Sequence, residues 1–404
     1  MKTPEQIRAD FPALARVHNG RPVAFFDGPG GTQVPTQVID AMVDYLRHHN
    51  ANTHWNYPTS HETDALVAAG RAAVADLLNA TPAEVAFGQN MTSLTFHLAR
   101  GLARRWQAGD RIVVTELDHH GNIGPWEAVA QDRGLELVRV PFRVEQGTLD
   151  VDRVVAALGD RVRLVAVGWA SNALGSITDV ATVCAAAADR GIASFVDAVH
   201  SAPHLRPDVA AIGCDYLGCS AYKFYGPHLG ILYGRSALLR EVDVPKVQPA
   251  PNQIPERLET GTQNHPAIVG TMAAIDYVAA LDPGADRKSG LVAGYAALHE
   301  RGSELVGRIW RGLEAIPRVR LFGPPPSAPR TPTVSFVVEG MTSRRVAGVL
   351  AERGVFVSHG DFYAATVIER LDLGGEGLVR AGCACYTTEE EVDRLVTAVA
   401  TIGS

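Results

Sequence analysis

Residues 216–234 read YLGCSAYKFYGPHLGILYG: two short apolar strands, Tyr216–Ser220 and Gly230–Tyr233, on either side of a turn that carries Lys223. Upstream, similar apolar runs recur at Glu84–Phe87, Arg111–Thr115 (RIVVT), Leu137–Val140, Arg163–Trp169 (RLVAVGW) and Ile192–Val196 (IASFV). Helical patterns separate them at Ala65–Asn79, Thr92–Trp106, Gly124–Arg133, Val151–Leu158 and Val180–Arg190. Nearly continuous Val/Ile/Leu strands alternating with helices predict an α/β fold whose mostly parallel sheet is covered on both faces. Downstream, residues 265–315 read as helices that cross to a second unit, and Gly323–Pro332 is a Pro-rich loop. Strands at 334–338, 355–358 and 378–383 then alternate with helices at 343–353 and 389–402, a compact α+β unit. The expected organisation is a large domain over 20–285 and a small domain of 1–19 with 286–404, a division that suits 404 residues.

Composition narrows the function classes. The net charge of −7, with no Lys/Arg block, argues against nucleic acid and anionic membrane as partners. The N-terminal MKTPEQIRADFPAL has no apolar core of a signal peptide, and no apolar run is long enough for a membrane helix. The five cysteines are odd in number and lack metal-site spacing, so neither a disulfide framework nor a zinc site is expected, and the compartment is read as a reducing cytoplasm. Arginine outnumbers lysine 33 to 4. Arg keeps its charge inside proteins, whereas a Lys amine deprotonates and becomes a nucleophile, so a Lys held in an apolar stretch of an Arg-rich chain calls for a reason.

In open α/β sheets, ligands collect at the C-terminal ends of strands. Three such ends carry chemistry: Asp197 in IASFVDAVHSAPH, Lys223, and the pair His119–His120 in VVTELDHHGNIGPW. Each has a plainer reading alone: a helix N-cap for Asp197, a solvent-facing amine at the sheet edge for Lys223, a surface turn for the histidines. Together they fit pyridoxal 5′-phosphate (PLP). That cofactor needs a lysine for its Schiff base, a carboxylate to keep the pyridine nitrogen protonated, and an aromatic ring to hold its plane. Its phosphate needs hydroxyls and N–H groups at a helix N-terminus; Met91-Thr92-Ser93 opens a helix, and Ser220 lies just before Lys223.

On these residues the chain resembles the class V aminotransferase family of fold-type I PLP enzymes, in its cysteine desulfurase-like branch with the C–S lyases and epimerases. The resemblance runs over nearly the whole chain, from FFDGPGGTQVP (25–35) to VRAG (379–382) and TTEEEVDRL (387–395). It implies phosphate ligands at Thr92 and Ser93 in GQNMTSLTFHLA, a stacking ring at His119, and Asn172 of ASNALG near the cofactor or the substrate carboxylate. From DAVH it assigns Asp197 to the pyridine nitrogen and His200 to the phenolic oxygen; from CSAYKFYGP it gives Ser220 and Tyr222 phosphate roles and Lys223 the covalent bond. Thr262 in ETGTQN would reach the phosphate of a neighbouring subunit in a homodimer, and Arg380 would bind the substrate carboxylate. The side-chain pocket is expected from the 28–32 turn, Trp55, and a loop holding His359 and Tyr363.

Three departures separate the chain from the desulfurase pattern. His200 stands for a family Gln, and Tyr222 for the His before the lysine. The loop that carries the persulfide cysteine in desulfurases reads GVFVSHGDFYAATVI and has none. The resemblance therefore implies carbanion chemistry at Cα and Cβ of an amino acid, foremost C–S β-elimination. An aminotransferase or epimerase would use the same residues, and a non-catalytic PLP-binding relative is the reading from another class.

Overall fold

The structure is a computed structural model that describes residues 2–402. Its main sheet has seven strands: β1 Val85–Gly88, β2 Arg111–Thr115, β3 Glu136–Val140, β4 Val162–Gly168, β5 Ala193–Asp197, β6 Tyr216–Ser220 and β7 Gly230–Gly234, in the spatial order β1-β7-β6-β5-β4-β2-β3. Strands β2 to β6 pair in parallel, and β7 runs antiparallel to both β6 and β1. The strands are apolar on both sides because both faces are covered. Val113, Val165, Val167, Val196, Leu217, Cys219 and Ile231 enter one buried cluster, and their neighbours Ile112, Val114, Leu164, Ala166, Phe195 and Leu232 enter another.

Helices α1 Pro58–Leu78, α2 Met91–Ala103, α3 Gly124–Arg133, α4 Val180–Ala188 and α5 His265–Ala279 surround this sheet, while α6 Arg287–Glu314 starts against its core at Leu291 and ends in that of the C-terminal unit at Leu313. A second sheet of four strands, β8 Val319–Phe322, β9 Thr333–Val338, β10 Ser358–Gly360 and β11 Leu378–Gly382, is ordered β8-β9-β11-β10 and fully antiparallel. It is accompanied by α7 Ser343–Glu352, α8 Ala365–Arg370 and α9 Glu389–Ala400, and has its own core around Phe336, Val379 and Leu395.

We keep the division into 20–285 and 1–19 with 286–404 as a proposal; the packing crosses it in two places. Ala24–Phe25 pairs in parallel with Val355–Phe356, and Phe26 lies in the core of the C-terminal unit. Conversely, Phe11 packs edge-on against Tyr225 and Tyr277 of the large unit. These crossings bring the 27–31 turn between the sheets, where it accepts a hydrogen bond from Lys223 and feels the charge of Arg380. Among the described residues, no helix is long and apolar enough to cross a membrane.

Candidate active site

The site gathers at the C-terminal edges of the parallel strands. The β2 end leads to the 116–122 turn with His119, β4 to Asn172, β5 ends on Asp197, and β6 runs into the short turn Ala221–Lys223. Helix α2 points its N-terminus here. Asn90 caps it, accepting from the Ser93 N–H at 2.9 Å, and the Ser220 hydroxyl accepts the free Met91 N–H at 3.0 Å. A helix N-terminus with adjacent hydroxyls is suited to a phosphate. Glycine lets these parts approach: a Cβ on Gly121 would lie 2.8 Å from both His119 Nδ1 and Thr92 Oγ1.

Lys223 donates to the Pro29 carbonyl at 2.5 Å and the Gly30 carbonyl at 3.2 Å. Burial first, then the Arg380 charge, lowers its amine pKa to about 7, against the opposing pull of Asp197. Asp197 is 7% exposed, and its hydrogen-bonding partner among the described residues is the Val199 N–H at 2.8 Å. Burial raises this carboxyl to about 6. A carboxylate so placed needs a cationic partner. His119 accepts the Gly121 N–H on Nδ1, which puts its proton on Nε2, and burial followed by the charge of Lys223 drops its pKa to about 4. The ring is therefore a neutral plane at the site.

His200 is buried, with Nε2 within hydrogen-bonding reach of Thr331 Oγ1 at 3.1 Å and Thr333 Oγ1 at 3.3 Å. Burial, with neighbouring positive charge, holds it neutral. Arg380 is 4% exposed and donates from Nη1 to the Asn172 carbonyl at 2.7 Å. Burial pulls its pKa to about 9, still cationic at neutral pH, with Asp27 and Tyr222 opposing that fall. Four buried polar atoms here have no partner among the described residues: Asp27 Oδ1, His200 Nδ1, Asn172 Oδ1 and Arg380 Nε. Unsatisfied groups of this kind are rare in folded proteins and mark a place for a ligand. With the open carboxylate of Asp197 and the helix N-terminus, they fit PLP and an amino acid.

Not every residue expected from the sequence comes to this cluster. His359 pairs with Val379, and Ser358 with Arg380, so strand alternation puts Ser358 on the Arg380 face and His359 on the opposite one. Trp55 is 58% exposed with its N–H on Ser60, and no hydrogen bond or ring contact joins it to Lys223 among the described residues. Thr262 is exposed and lines a cleft of about 400 Å³ with Ser93, His97, Arg100 and His228. Tyr222 stacks on His228 at 4.6 Å with the planes 7° apart. Tyr363 lies beside His119, with ring centroids 5.6 Å apart.

Four contributors escaped the sequence reading. Asp118 is buried and accepts from Thr115 Oγ1 at 2.7 Å, Asn122 Nδ2 at 2.8 Å and the Gly168 N–H at 3.0 Å, bracing the turn that holds His119. Burial and, more weakly, the charge of Asp197 raise it to about 7. Its position three residues past the apolar strand β2 was the available signal. Asp27 has a buried, unpartnered Oδ1, and burial raises its pKa although Arg380 opposes this. Thr331 and Ser358 carry no local signal, because only tertiary packing places them.

The α/β fold, its main sheet covered on both faces, and this set of strand-end residues define a PLP-dependent enzyme of fold type I. The chain matches the aminotransferase class-V family model over residues 24–395. It is 33% identical to a cysteine desulfurase of Serratia proteamaculans over 410 residues, covering 97% of this chain and 96% of that protein. It is likewise 33% identical to a cysteine desulfurase of Pectobacterium carotovorum, with the same coverages. Among solved structures, it superposes on the apo cysteine desulfurase of Thermococcus onnurineus with a TM-score of 0.90 at 28% identity, covering 100% of this chain and 98% of that one. For the cysteine desulfurase CsdA of Escherichia coli the TM-score is 0.85 at 27% identity, covering 99% and 98%. The chain belongs to the aminotransferase class-V family, in its cysteine desulfurase-like branch, and its cofactor is pyridoxal 5′-phosphate.

Proposed function

We propose that this enzyme cleaves the C–S bond of a cysteine-like or S-substituted cysteine amino acid by β-elimination, and releases the sulfur rather than storing it on a thiol of its own. One observation carries the reading: the loop after β10, where desulfurases carry their cysteine, holds Asp361, Phe362 and Tyr363 against the site. Its five cysteines are all buried, and burial pushes their thiols up, to about 11 for Cys184 and about 12 for Cys219, Cys383 and Cys385. Such thiols are poor nucleophiles. Cys219 faces the apolar cluster under the sheet, away from Ser220.

We assign the residues as follows. Thr92, Ser93, Ser220 and Tyr222 hold the cofactor phosphate, with Thr262 of a second copy. Asp197 holds the proton of the ring nitrogen, His200 faces the phenolic oxygen, and the His119 ring sets the plane. When bound, PLP supplies the electron sink for the pair left by the breaking Cα–H bond. Arg380, with Asn172, orients the substrate carboxylate, since a guanidinium edge matches it bidentately. Lys223 Nζ, neutral for a useful fraction of molecules at pH 7, takes the Cα proton. The leaving sulfur departs past Tyr363 and collects a proton, while water converts the remaining fragment to pyruvate and ammonia. The homodimer and a cytoplasmic location belong to the same proposal.

The test is an assay of the holoenzyme with L-cysteine, L-cystine and S-methyl-L-cysteine, with pyruvate and thiol quantified. Pyruvate equimolar with the matching sulfur product (sulfide from cysteine, thiocysteine from cystine, methanethiol from S-methylcysteine), absent in Lys223→Ala, supports elimination. Alanine as product would point to persulfide chemistry, pyridoxamine phosphate to transamination, and Cα–H exchange alone to epimerisation.

A further inference from the structure

The turn between β10 and α8 has an unusual backbone. Phe362 and Tyr363 have φ of +57° and +56°, two consecutive bulky side chains in the left-handed region that such residues rarely adopt. Strain of this kind persists only where surrounding contacts hold it, and it clusters at ligand clamps. Here the contacts form a closed ring. The Phe362 carbonyl accepts from Asn172 Nδ2 at 2.8 Å, the Asn172 carbonyl accepts from Arg380 Nη1 at 2.7 Å, and the Arg380 guanidinium carbon lies 4.0 Å from the centre of the Phe362 ring. On the outer side, the Tyr363 N–H donates to Asp361 Oδ1 at 2.9 Å, and its carbonyl accepts the His120 N–H at 2.7 Å.

The consequence falls on Arg380. Its Nη1 is committed to Asn172, its Nε is buried without a partner, and its Nη2 lies toward the 28–31 turn, 3.9 Å from where a Cβ on Gly30 would be. The Nε–Nη2 edge is therefore the fork left for a carboxylate, and the Phe362 ring covers a face of the same guanidinium. A ring over that face excludes water and keeps the local dielectric low, which strengthens attraction to an anion at the edge. It adds no comparable attraction for a neutral amide.

We propose that Phe362 is a specificity-determining residue: by roofing Arg380 with its ring, it sets the preference of the site for substrates with a free α-carboxylate. This rests on the assignment of Arg380 to the substrate carboxylate. In an equilibrium titration of the holoenzyme, L-alanine and L-alaninamide both act on the cofactor's visible spectrum through their amines, but only alanine brings the carboxylate. Phe362→Ala is expected to raise the apparent Kd for L-alanine roughly thirtyfold, the size of a desolvated cation–π contact. The Kd for L-alaninamide should stay within about twofold, and Phe362→Tyr, which keeps the ring, should bind alanine like the wild type. Equal weakening toward both ligands, or none toward alanine, overturns the proposal while leaving the amino-acid reading intact. A wild-type spectrum that neither ligand moves overturns the amino-acid reading and this proposal together. A thermal melt of each variant separates misfolding from altered binding.

Discussion

Lys223 and Asp118 show how burial sets chemistry at single positions. A lysine amine ordinarily loses its proton near 10.5; here burial and Arg380 bring that down to about 7. The sign follows directly: the shift disfavours the charged form, so the amine is neutral above about pH 7. Only a neutral amine attacks an aldehyde. The rate at which cofactor-free protein takes up PLP should therefore rise about tenfold per pH unit below 7 and level off above it. Stopped-flow absorbance measures this, and a midpoint near 10 would contradict it. Asp118 makes the opposite kind of prediction. Asp118→Ala leaves the Thr115 hydroxyl, the Asn122 amide and the Gly168 N–H without their acceptor in a buried place. Unsatisfied buried donors cost about 1–3 kcal/mol each, so a loss of at least ~2 kcal/mol is expected in denaturant unfolding. Lys223 and Asp197 were legible in the sequence because each is a charged residue where an apolar strand ends. Asp27, Thr331 and Ser358 were not, since their neighbours in space are far away in the chain.

Among the elements, helix α2 is the most exposed to test, because its N-terminus must meet the phosphate. Asn90 caps it, and Gly230 of β7 lies directly beneath. A Cβ on Gly230 would fall 2.4 Å from the Asn90 carbonyl carbon and 2.6 Å from its Cα, which only a backbone shift relieves. Gly230→Ala should cost about 1–3 kcal/mol and weaken PLP binding, because the shift moves the helix N-terminus itself. Asn90→Ala removes only the cap and should cost about 1 kcal/mol. Thermal melts with and without PLP separate the two effects. Strand and helix positions follow the sequence pattern closely; Gly124–Arg133 spans the residues expected. The differences are α1, which begins at Pro58 rather than Ala65, the unanticipated β8, α8 and a helix over Thr36–Asp44, and 355–360, expected as one strand through Ser358 and found as two short pieces, Val355–Phe356 and Ser358–Gly360. The first joins Ala24–Phe25 and the second joins β11, so one chain segment serves two sheets.

For the whole molecule, the proposed shared site makes a sharp prediction. Thr262 is exposed beside the cleft that Ser93 and His228 line. If it serves the site of a second copy, mixed dimers of Lys223→Ala with Thr262→Ala contain one intact site each. Co-expression should then restore about a quarter of the wild-type sites, above the level of either variant alone. A Thr262 acting within its own subunit would restore nothing. Sedimentation of the wild type checks that the dimer forms.

By itself, the sequence determined the alternation of buried strands and helices, because apolar periodicity is a local property of the chain. It also marked Lys223, through its rarity among arginines, and linked it to Asp197 and Arg380 through a family resemblance. Which residues share a face was decided by tertiary structure. Strand register, not spacing, put Ser358 beside Arg380 and turned His359 away. The same packing laid Phe362 on Arg380 and fixed Asn172 between them, through contacts spanning 190 and 208 positions. Periodicity constrains neighbours along the chain, whereas a site is made of neighbours across it.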